Sequence, residues 1–471
     1  MTTTTRETGS RLSAGQLAIL LVVILADVLD LMDSTITSIA APTIVREIGG
    51  GESLVKWLGA GYALALGVLL VVGGRLGDRY GKRRLFLIGI AGFTLASLAC
   101  GLAFDPSALI VARILQGSFG AFLIPQGMSI LITSLNRSQL PTVFSVFGPV
   151  LGASAVLGPI VAGVIIDADI AGLTWRPVFL INIALGVAGF LTAMRVLPKD
   201  RPDASQLVDG VGAGLLGLTM LGLIYGLIEG SDSGWGTLAI TSLAVGVTAF
   251  LGFCLRQRRA RNPLILPSLL GNRGFTSGLI LGLGYFAAVN GFAYVISLFF
   301  QLSLGLTSLQ ASLALSPLMA GIIVASFLAR PLIEALGRRL VVIGLTLTFA
   351  GAAGLFITTL ALGDAVNAYW TIPSILVLGL GMGSCFSSIY DVAIGDVAPQ
   401  EAGSASGSLS AVQQLAAAIG SAVVTSVYFG EAATHSGPFA FIVSIVVVGG
   451  IVAACVALVW LLPKRAQEEL R

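Results

Sequence analysis

The sequence predicts an all-α membrane protein whose chain crosses the bilayer many times. Of its 471 residues, 56% are hydrophobic and only 10% are charged, whereas a soluble domain contains about 25% charged residues. Apolar segments of about 20 residues, long enough to cross the hydrocarbon core, recur from one end of the chain to the other. A β-barrel would show short alternating segments instead, so the pattern indicates a helical bundle.

The apolar segments divide the chain into about fourteen predicted spans with short polar loops between them. These spans cover residues 17–41, 54–74, 85–104, 107–134, 139–166, 175–197, 207–229, 235–256, 273–303, 308–334, 338–362, 369–396, 401–430 and 438–462.

Positive charge is distributed asymmetrically among the loops. Of the 26 Lys and Arg residues, only Arg46, Lys56, Arg113 and Arg176 lie away from the side that carries the two tails and the basic loops. Because basic loops stay in the cytoplasm, we expect both termini on the cytoplasmic side of a multi-pass protein of the plasma (inner) membrane.

An internal repeat predicts two related halves. GDRYGKRRL at 77–85 aligns with IEALGRRLV at 333–341, so that Gly81 corresponds to Gly337. The two segments follow the second and the tenth span, which fits two six-helix halves separated by two inserted central helices. The predicted divisions are an N-terminal tail at 1–16, an N-terminal half at 17–200, an inserted pair at 201–262, a C-terminal half at 263–462 and a C-terminal tail at 463–471.

Three acidic residues in the first span demand an explanation. Asp27, Asp30 and Asp33 lie in the stretch ADVLDLMDST, inside an otherwise apolar segment. An ionised Asp at the centre of a span costs about 2.5–3.5 kcal/mol on insertion scales. Each must therefore face a watery cavity, bond to neighbouring groups or hold a proton, and burial beside like charges favours the protonated acid. A cavity carboxylate that binds either a proton or a cation would provide an exchange mechanism.

The fourth span carries a basic residue in the stretch ARILQGSFGA. Arg113, Gln116 and Gly120 lie on adjacent turns of one helix face. A buried guanidinium needs partners, which favours a role in coupling. The alternative is that Arg113 extends to the membrane interface.

Glycines mark two further segments. In the loop GGRLGDRYGKRR, Gly74 and Gly77 allow close helix approach and Gly81 supplies a tight turn. In the fifth span, VFGPVLGASAVLGPIVAGVI predicts a stripe of close packing with two prolines. The stripe consists of Gly148, Pro149, Gly152, Gly158, Pro159 and Gly163.

Together these segments resemble the major facilitator superfamily, and in particular its fourteen-span drug:H⁺ antiporter branch. The loop matches the pattern G-x-L-x-D-R-x-G-K-R, the fourth span R-x-x-Q-G-x-x-G, and the fifth span G-x5-G-P-x3-G, with Ala162 where glycine is usual. The run TWRPVFLIN resembles the same branch, although its Trp175 and Arg176 are also expected as anchors at the outer interface. The stretch MDSTITSIAAPTI departs from the branch by lacking an Asn.

The resemblance implies roles for these residues. Asp33 corresponds to the acid of the family's first helix, Arg113 to an Arg in proton transfer, and the fifth-span stripe to the antiporter motif. The implied conformational gate comprises Gly74, Asp78, Arg79, Gly81, Lys82 and Arg83, and the repeat adds Glu334, Arg338 and Arg339. From their intramembrane positions, Asp391 is a candidate second protonation site, and Gln116, Asn182, Asn290, Tyr294 and Gln301 are candidates for the substrate cavity.

The function expected from the resemblance is proton-coupled export of amphipathic, often cationic, drugs or antibiotics by alternating access. The partners are then small substrates and membrane lipid, without nucleic acid, metal or any cofactor besides H⁺, and the protein acts as a monomer. A uniporter or symporter for a small nutrient is a rival that the fifth-span motif disfavours, and a dedicated exporter of a self-made antibiotic is another. The chain lacks the H-E-x-x-H, Walker A and G-x-S-x-G patterns, so an enzyme is not expected.

Overall fold

The computed structural model describes residues 12–135, 139–200, 209–233, 235–260, 263–265, 267–394, 397 and 402–462. Within these ranges the chain forms sixteen α-helices and no strand. The helices are α1 (Ala14–Ile48), α2 (Gly51–Tyr80), α3 (Lys82–Gly101), α4 (Pro106–Ser134), α5 (Leu140–Asp167), α6 (Arg176–Val196), α7 (Gly210–Ser233), α8 (Thr237–Arg259), α9 (Pro267–Gly271), α10 (Arg273–Leu298), α11 (Ser308–Ala314), α12 (Ser316–Leu336), α13 (Arg338–Leu362), α14 (Ala368–Ile394), α15 (Ala402–Ala432) and α16 (Gly437–Leu458).

The predicted number of spans is confirmed. Among the described residues, 13 helical segments are long and apolar enough to cross a membrane, and α5, with 28 residues, supplies one more crossing. α11 and α12 together make one crossing, which runs from Ser308 to Ala329 in its apolar part. α10 continues into a π-helical turn at Phe299–Ser303. The chain is therefore a multi-pass membrane protein of about fourteen helices.

The helices pack as two bundles that contact each other through α2 and α15, with the pair α7 and α8 beside them. α1 contacts α2, α4, α5 and α6, while α10 contacts α14, α15 and α16. α7 and α8 pack on each other, and α7 also contacts α2 and α15. The predicted boundaries at 201–208 and 261–262 lie outside the described residues, so the exact divisions stay predictions.

Basic residues lie together at one end of the helices, which gives the bundle two distinct ends. The basic end is the end where Arg83, Arg84, Arg258, Arg259 and Arg339 lie, at the termini of α3, α8 and α13. The far end is the opposite end, where α1 ends and α2 begins. This distribution reproduces in space the charge asymmetry of the sequence.

The repeated turn has the same construction in both halves. Gly81 joins α2 to α3 with φ +99°, and Gly337 joins α12 to α13 with φ +49°. In each half, an arginine just after this glycine donates to a backbone carbonyl near the end of the sixth helix of that half, α6 or α16. Arg83 Nη2 donates to Met194 O at 2.6 Å, and Arg338 Nη1 donates to Leu462 O at 2.9 Å.

The inserted pair is held at the basic end by an ion pair. Asp209, just before α7, accepts bonds from Arg256 of α8, with Nη2 at 3.1 Å, and from the backbone N–H of Gly212 at 3.0 Å. Burial works to raise the pKa of Asp209, but these bonds hold it below its usual range. Because the folded-state pKa is lowered, this contribution to stability is present at neutral pH and is lost on acidification.

We predict that Gly81→Ala and Gly337→Ala each destabilise the protein by about 1–2 kcal/mol, because an L side chain is strained at positive φ. Thermal unfolding of the purified protein measures the loss. Gly214→Ala is the matched control, since a methyl group there meets nothing within 4 Å. An equal effect of all three substitutions would contradict the assignment of strain.

Candidate functional site

The centre of the candidate site is a buried ion pair between α1 and α4. Arg113 Nη1 contacts the carboxylate of Asp33, and both side chains are 1% exposed. Arg113 Nε also faces the Leu58 carbonyl of α2 at 3.4 Å. The alternative that Arg113 extends to the interface is therefore wrong. A buried charge without a partner is strongly unfavourable, so each member of the pair requires the other.

Amide side chains complete the coordination of the ion pair. Asp33 Oδ1 accepts from Gln116 Nε2 at 2.8 Å and from Asn182 Nδ2 of α6 at 2.9 Å. Gln116 Oε1 in turn accepts from Arg113 Nη1 at 2.7 Å. Ser97 of α3 accepts from Gln116 Nε2 at 2.8 Å. Helices α1, α3, α4 and α6 thus each contribute a polar group to one cluster.

Asp30 lies one turn towards the basic end and belongs to the same cluster. Its Oδ1 accepts a bond from the hydroxyl of Tyr62 on α2. The Tyr62 ring lies under the Arg113 guanidinium, 4.3 Å from the ring centroid, a cation–π geometry. A Cβ atom at Gly120 would lie 2.9 Å from Asp30 Oδ1. The predicted face of α4, with Arg113, Gln116 and Gly120, therefore faces the aspartates of α1.

Asp27 has a different environment from the other two aspartates. It is 8% exposed, and its Oδ1 has no hydrogen-bond partner among the described residues. Successive aspartates are separated by about 4.5 Å along the helix axis. We call these three acids the aspartate ladder. Asp33 belongs to the ion pair, Asp30 bonds to Tyr62, and Asp27 has an oxygen without a partner among the described residues.

The gate residues of the repeated loop are only partly described. A Cβ atom at Gly77 would overlap the Gln126 amide, whereas Gly74 has its nearest neighbour at 3.9 Å. The Lys82 N–H donates to the Asp200 carboxylate, and Arg79 lies over the Tyr80 ring at 5.4 Å. The side chains of Asp78 and Glu334 lie outside the described part of the chain, so the predicted lock stays a prediction.

The fifth-span stripe brings α5 close to two neighbours. A Cβ atom at Gly158 would overlap Thr35 of α1, and one at Gly163 would lie 2.7 Å from Leu309 Cα of α11. Pro159 O accepts from Ser312 Oγ of α11 at 2.6 Å. Close packing is confirmed at these positions, while the predicted packing of Gly148, Pro149 and Gly152 lies outside the described side chains.

The residues predicted to line a substrate cavity are dispersed. Gln116 and Asn182 are buried in the cluster, and Asn290 Nδ2 donates to Phe286 O of its own helix at 2.9 Å. Tyr294 and Gln301 are buried where α10 meets the N-terminal helices. The Asp391 side chain lies outside the described residues. A role in substrate binding stays a prediction for all of them.

Sequence reasoning missed Tyr62 and Ser97 and misplaced Trp175. Tyr62 is the only tyrosine in its predicted span, which is a weak signal, whereas Ser97 resembles many other helix serines. Trp175, expected at the interface, is 0% exposed and packs edge-on against Phe179 at 5.9 Å.

We predict unequal losses of stability from the same substitution at two aspartates of the ladder. Asp33→Asn leaves Arg113 buried without a counter-charge and lowers the free energy of unfolding by about 3–5 kcal/mol. Asp27→Asn, which removes no described bond at Oδ1, changes it by less than about 1 kcal/mol. Thermal unfolding of both variants measures the difference, and equal losses would contradict the distinct environments.

Comparison with known proteins agrees with the fold and the motifs. The Major Facilitator Superfamily model matches residues 23–421. The "Probable actinorhodin transporter" of Streptomyces coelicolor is 40% identical over 419 residues, which are 87% of this chain and 72% of that protein. The "Tetracenomycin C resistance and export protein" of Streptomyces glaucescens is 31% identical over 396 residues, 83% of this chain and 72% of that protein.

A solved structure supports the same architecture. The crystal structure of an auto-inhibited POT family peptide transporter has a TM-score of 0.69 at 14% identity, and the match covers 96% of this chain and 98% of that one. At this identity the likeness concerns the fold alone. With the family match over most of its length, the chain belongs to the Major Facilitator Superfamily and is a transporter, not an enzyme.

Proposed function

We propose that this protein exports amphipathic antibiotics or drugs in exchange for protons. Relatives whose names state antibiotic export or resistance support the efflux direction. The observation that favours proton coupling is the aspartate ladder of α1, which begins at the Asp33–Arg113 ion pair. No bound cofactor is required, because carboxylates of the chain itself take up and release the proton.

The coordination of Asp33 suggests how a proton would act. The ionised carboxylate accepts from Arg113, Gln116 and Asn182. A proton on Asp33 would remove the negative charge that Arg113 requires in an apolar interior, so the guanidinium would seek other acceptors. Protonation thereby changes the balance of contacts among α1, α4 and α6.

The other two aspartates provide a route for the proton. Asp30 shares a hydrogen bond with Tyr62, and Asp27 lies one turn closer to the basic end. An unpartnered carboxylate in an apolar interior is far less stable than the neutral acid. We therefore assign Asp27 as a proton carrier between the basic end and the ion pair, with Asp30 between them.

The proposed orientation places the basic end in the cytoplasm. The positive-inside rule favours this side for the arginines near residues 84, 259 and 339. The far end then faces outside, and the start of α1 and the end of α16, both at the basic end, face the cytoplasm. A monomer suffices for this mechanism, since the ladder and its partners belong to one chain.

A dedicated exporter of one antibiotic is the second candidate. The relative with 40% identity is named for a single compound, actinorhodin. This name favours a narrow substrate range, whereas a nutrient uniporter or symporter has no support from the relatives named above. Transport of a panel of structurally unrelated compounds by the purified protein distinguishes a narrow from a broad range.

We predict that Asp33→Asn abolishes efflux driven by a pH gradient, because the substituted amide cannot ionise. Dye or antibiotic efflux from proteoliposomes with an imposed pH gradient, with and without a protonophore, measures the coupling. Asp364→Asn at the exposed far end is the matched control and should transport as the unmodified protein does. Efflux by Asp33→Asn at the full gradient-driven rate would show that Asp33 does not couple efflux to protons.

We also predict that Arg113→Gln lowers gradient-driven efflux at least tenfold, about 1.4 kcal/mol in the rate-limiting barrier. Substrate binding, measured separately by fluorescence quenching, distinguishes a loss of coupling from a loss of affinity. Arg84→Gln, at an exposed position of the basic end, controls for the loss of one positive charge.

A further inference from the structure

Three side chains of α10 and of the π-helical turn that follows it face the N-terminal helices along one stripe. Tyr294, Ser297 and Gln301 follow each other at intervals of three and four residues, which places them on one helix face. All three are buried, at 7%, 0% and 9% exposure. They lie in the half of α10 that is nearer to the far end.

Ser297 bonds to a carbonyl that a proline leaves without its helical partner. In an α-helix the carbonyl of Ser38 would accept the N–H of residue 42, but Pro42 has none. Ser297 Oγ donates to Ser38 O at 2.9 Å and satisfies it from the other half of the protein. A buried carbonyl without a partner is unfavourable, so this bond stabilises the contact between α1 and α10.

Gln301 makes a second bond one residue further along α1. Its Nε2 donates to Ile39 O at 3.2 Å and to Ser297 Oγ at 3.1 Å, and its Oε1 accepts from Ser308 Oγ at 3.3 Å. Gln301 belongs to the π-helical turn that ends α10. It also lines a cavity of about 600 Å³ between α1, α5 and the segment 305–308.

Tyr294 connects this contact with the ion pair. Its ring and hydroxyl lie against Gly59 of α2, where an added methyl group would come within 2.6 Å of Cζ. The neighbouring residue on α2 is Leu58, whose carbonyl faces Arg113. The stripe of α10 therefore begins beside the groups that hold the Arg113 guanidinium.

We propose that Tyr294, Ser297 and Gln301 form a latch that holds the far end closed between α10 and the helices α1 and α2. Opening the far end requires breaking the bonds to Ser38 O and Ile39 O and withdrawing Tyr294 from Gly59. The latch rests on the alternating-access part of the proposed function. The test of the latch measures conformation and not transport, so the latch can be supported or overturned independently of proton coupling.

The test measures the distance across the far end in full-length protein reconstituted in lipid nanodiscs. Spin labels are attached at Phe104→Cys, in the loop between α3 and α4, and at Ala365→Cys, in the loop between α13 and α14. Cys254 is replaced by Ser, since it is partly exposed, while the buried Cys100, Cys385 and Cys455 are retained. Double electron–electron resonance then gives the populations of short and long distances.

Removing either hydrogen bond should raise the population of the long distance. We expect Ser297→Ala and Gln301→Leu each to increase the open-to-closed ratio by about threefold to tenfold, the factor that one net hydrogen bond contributes. Ser277→Ala is the matched control, because Ser277 on the same helix donates only to carbonyls of α10. Its distance distribution should equal that of the unmodified protein.

An added methyl group at Gly59 tests the latch without removing a polar group. Gly59→Ala should shift the population towards the long distance, because the methyl group displaces Tyr294. Gly61→Ala is its control, since a methyl group there meets only ordinary contacts at 3.5 and 3.6 Å.

The outcomes decide the proposal. A shift in Ser297→Ala, Gln301→Leu and Gly59→Ala, without a shift in the two controls, supports the latch. Unchanged distances in Ser297→Ala and Gly59→Ala, or equal shifts in the controls, overturn it. If Gln301→Leu does not yield folded protein, the other two variants carry the test.

Discussion

The N-terminal bundle is organised by the need to stabilise one buried ion pair. Asp33 and Arg113 are both 1% exposed, and such a pair stabilises a fold only when further hydrogen bonds satisfy its remaining donors and acceptors. Gln116, Asn182 and the Leu58 carbonyl supply these bonds. The rotation of four helices about their axes follows from this requirement.

The same constraint extends into the C-terminal bundle. Leu58, which faces Arg113, precedes Gly59, and Gly59 has no side chain because Tyr294 of α10 occupies the space. On α1, Pro42 leaves a carbonyl that only α10 satisfies in the described structure. A change of charge at Asp33 would therefore alter the contacts where the two bundles meet. In the proposed exchange cycle, these contacts would connect protonation of Asp33 with the exposure of one end or the other.

The sequence predicted the parts that local patterns determine. Hydropathy located the spans, the repeat located the turns at Gly81 and Gly337, and helical spacing identified the face of α4 that carries Arg113. The resemblance singled out Asp33, but the sequence did not show that Asp27, Asp30 and Asp33 have an unpartnered oxygen, a tyrosine and an arginine as their environments.

Contacts between helices could not be predicted from the sequence, because they depend on the rotation and tilt of each helix. Trp175 was expected at the interface and is buried inside the N-terminal bundle, and the bonds of Asn182 to Asp33 and Ser97 were not predicted. The serine partners Ser97 and Ser297 gave no signal either, since a serine bonded across helices looks the same in sequence as one bonded within its own helix.

The most direct measurement follows protons during substrate movement. Proteoliposomes containing a pH-sensitive dye are given a substrate gradient and no initial pH gradient. We expect substrate flux to drive protons in the opposite direction, with a pH change that the protonophore abolishes and that is absent in Asp33→Asn. Substrate flux at a normal rate with no movement of protons would contradict it.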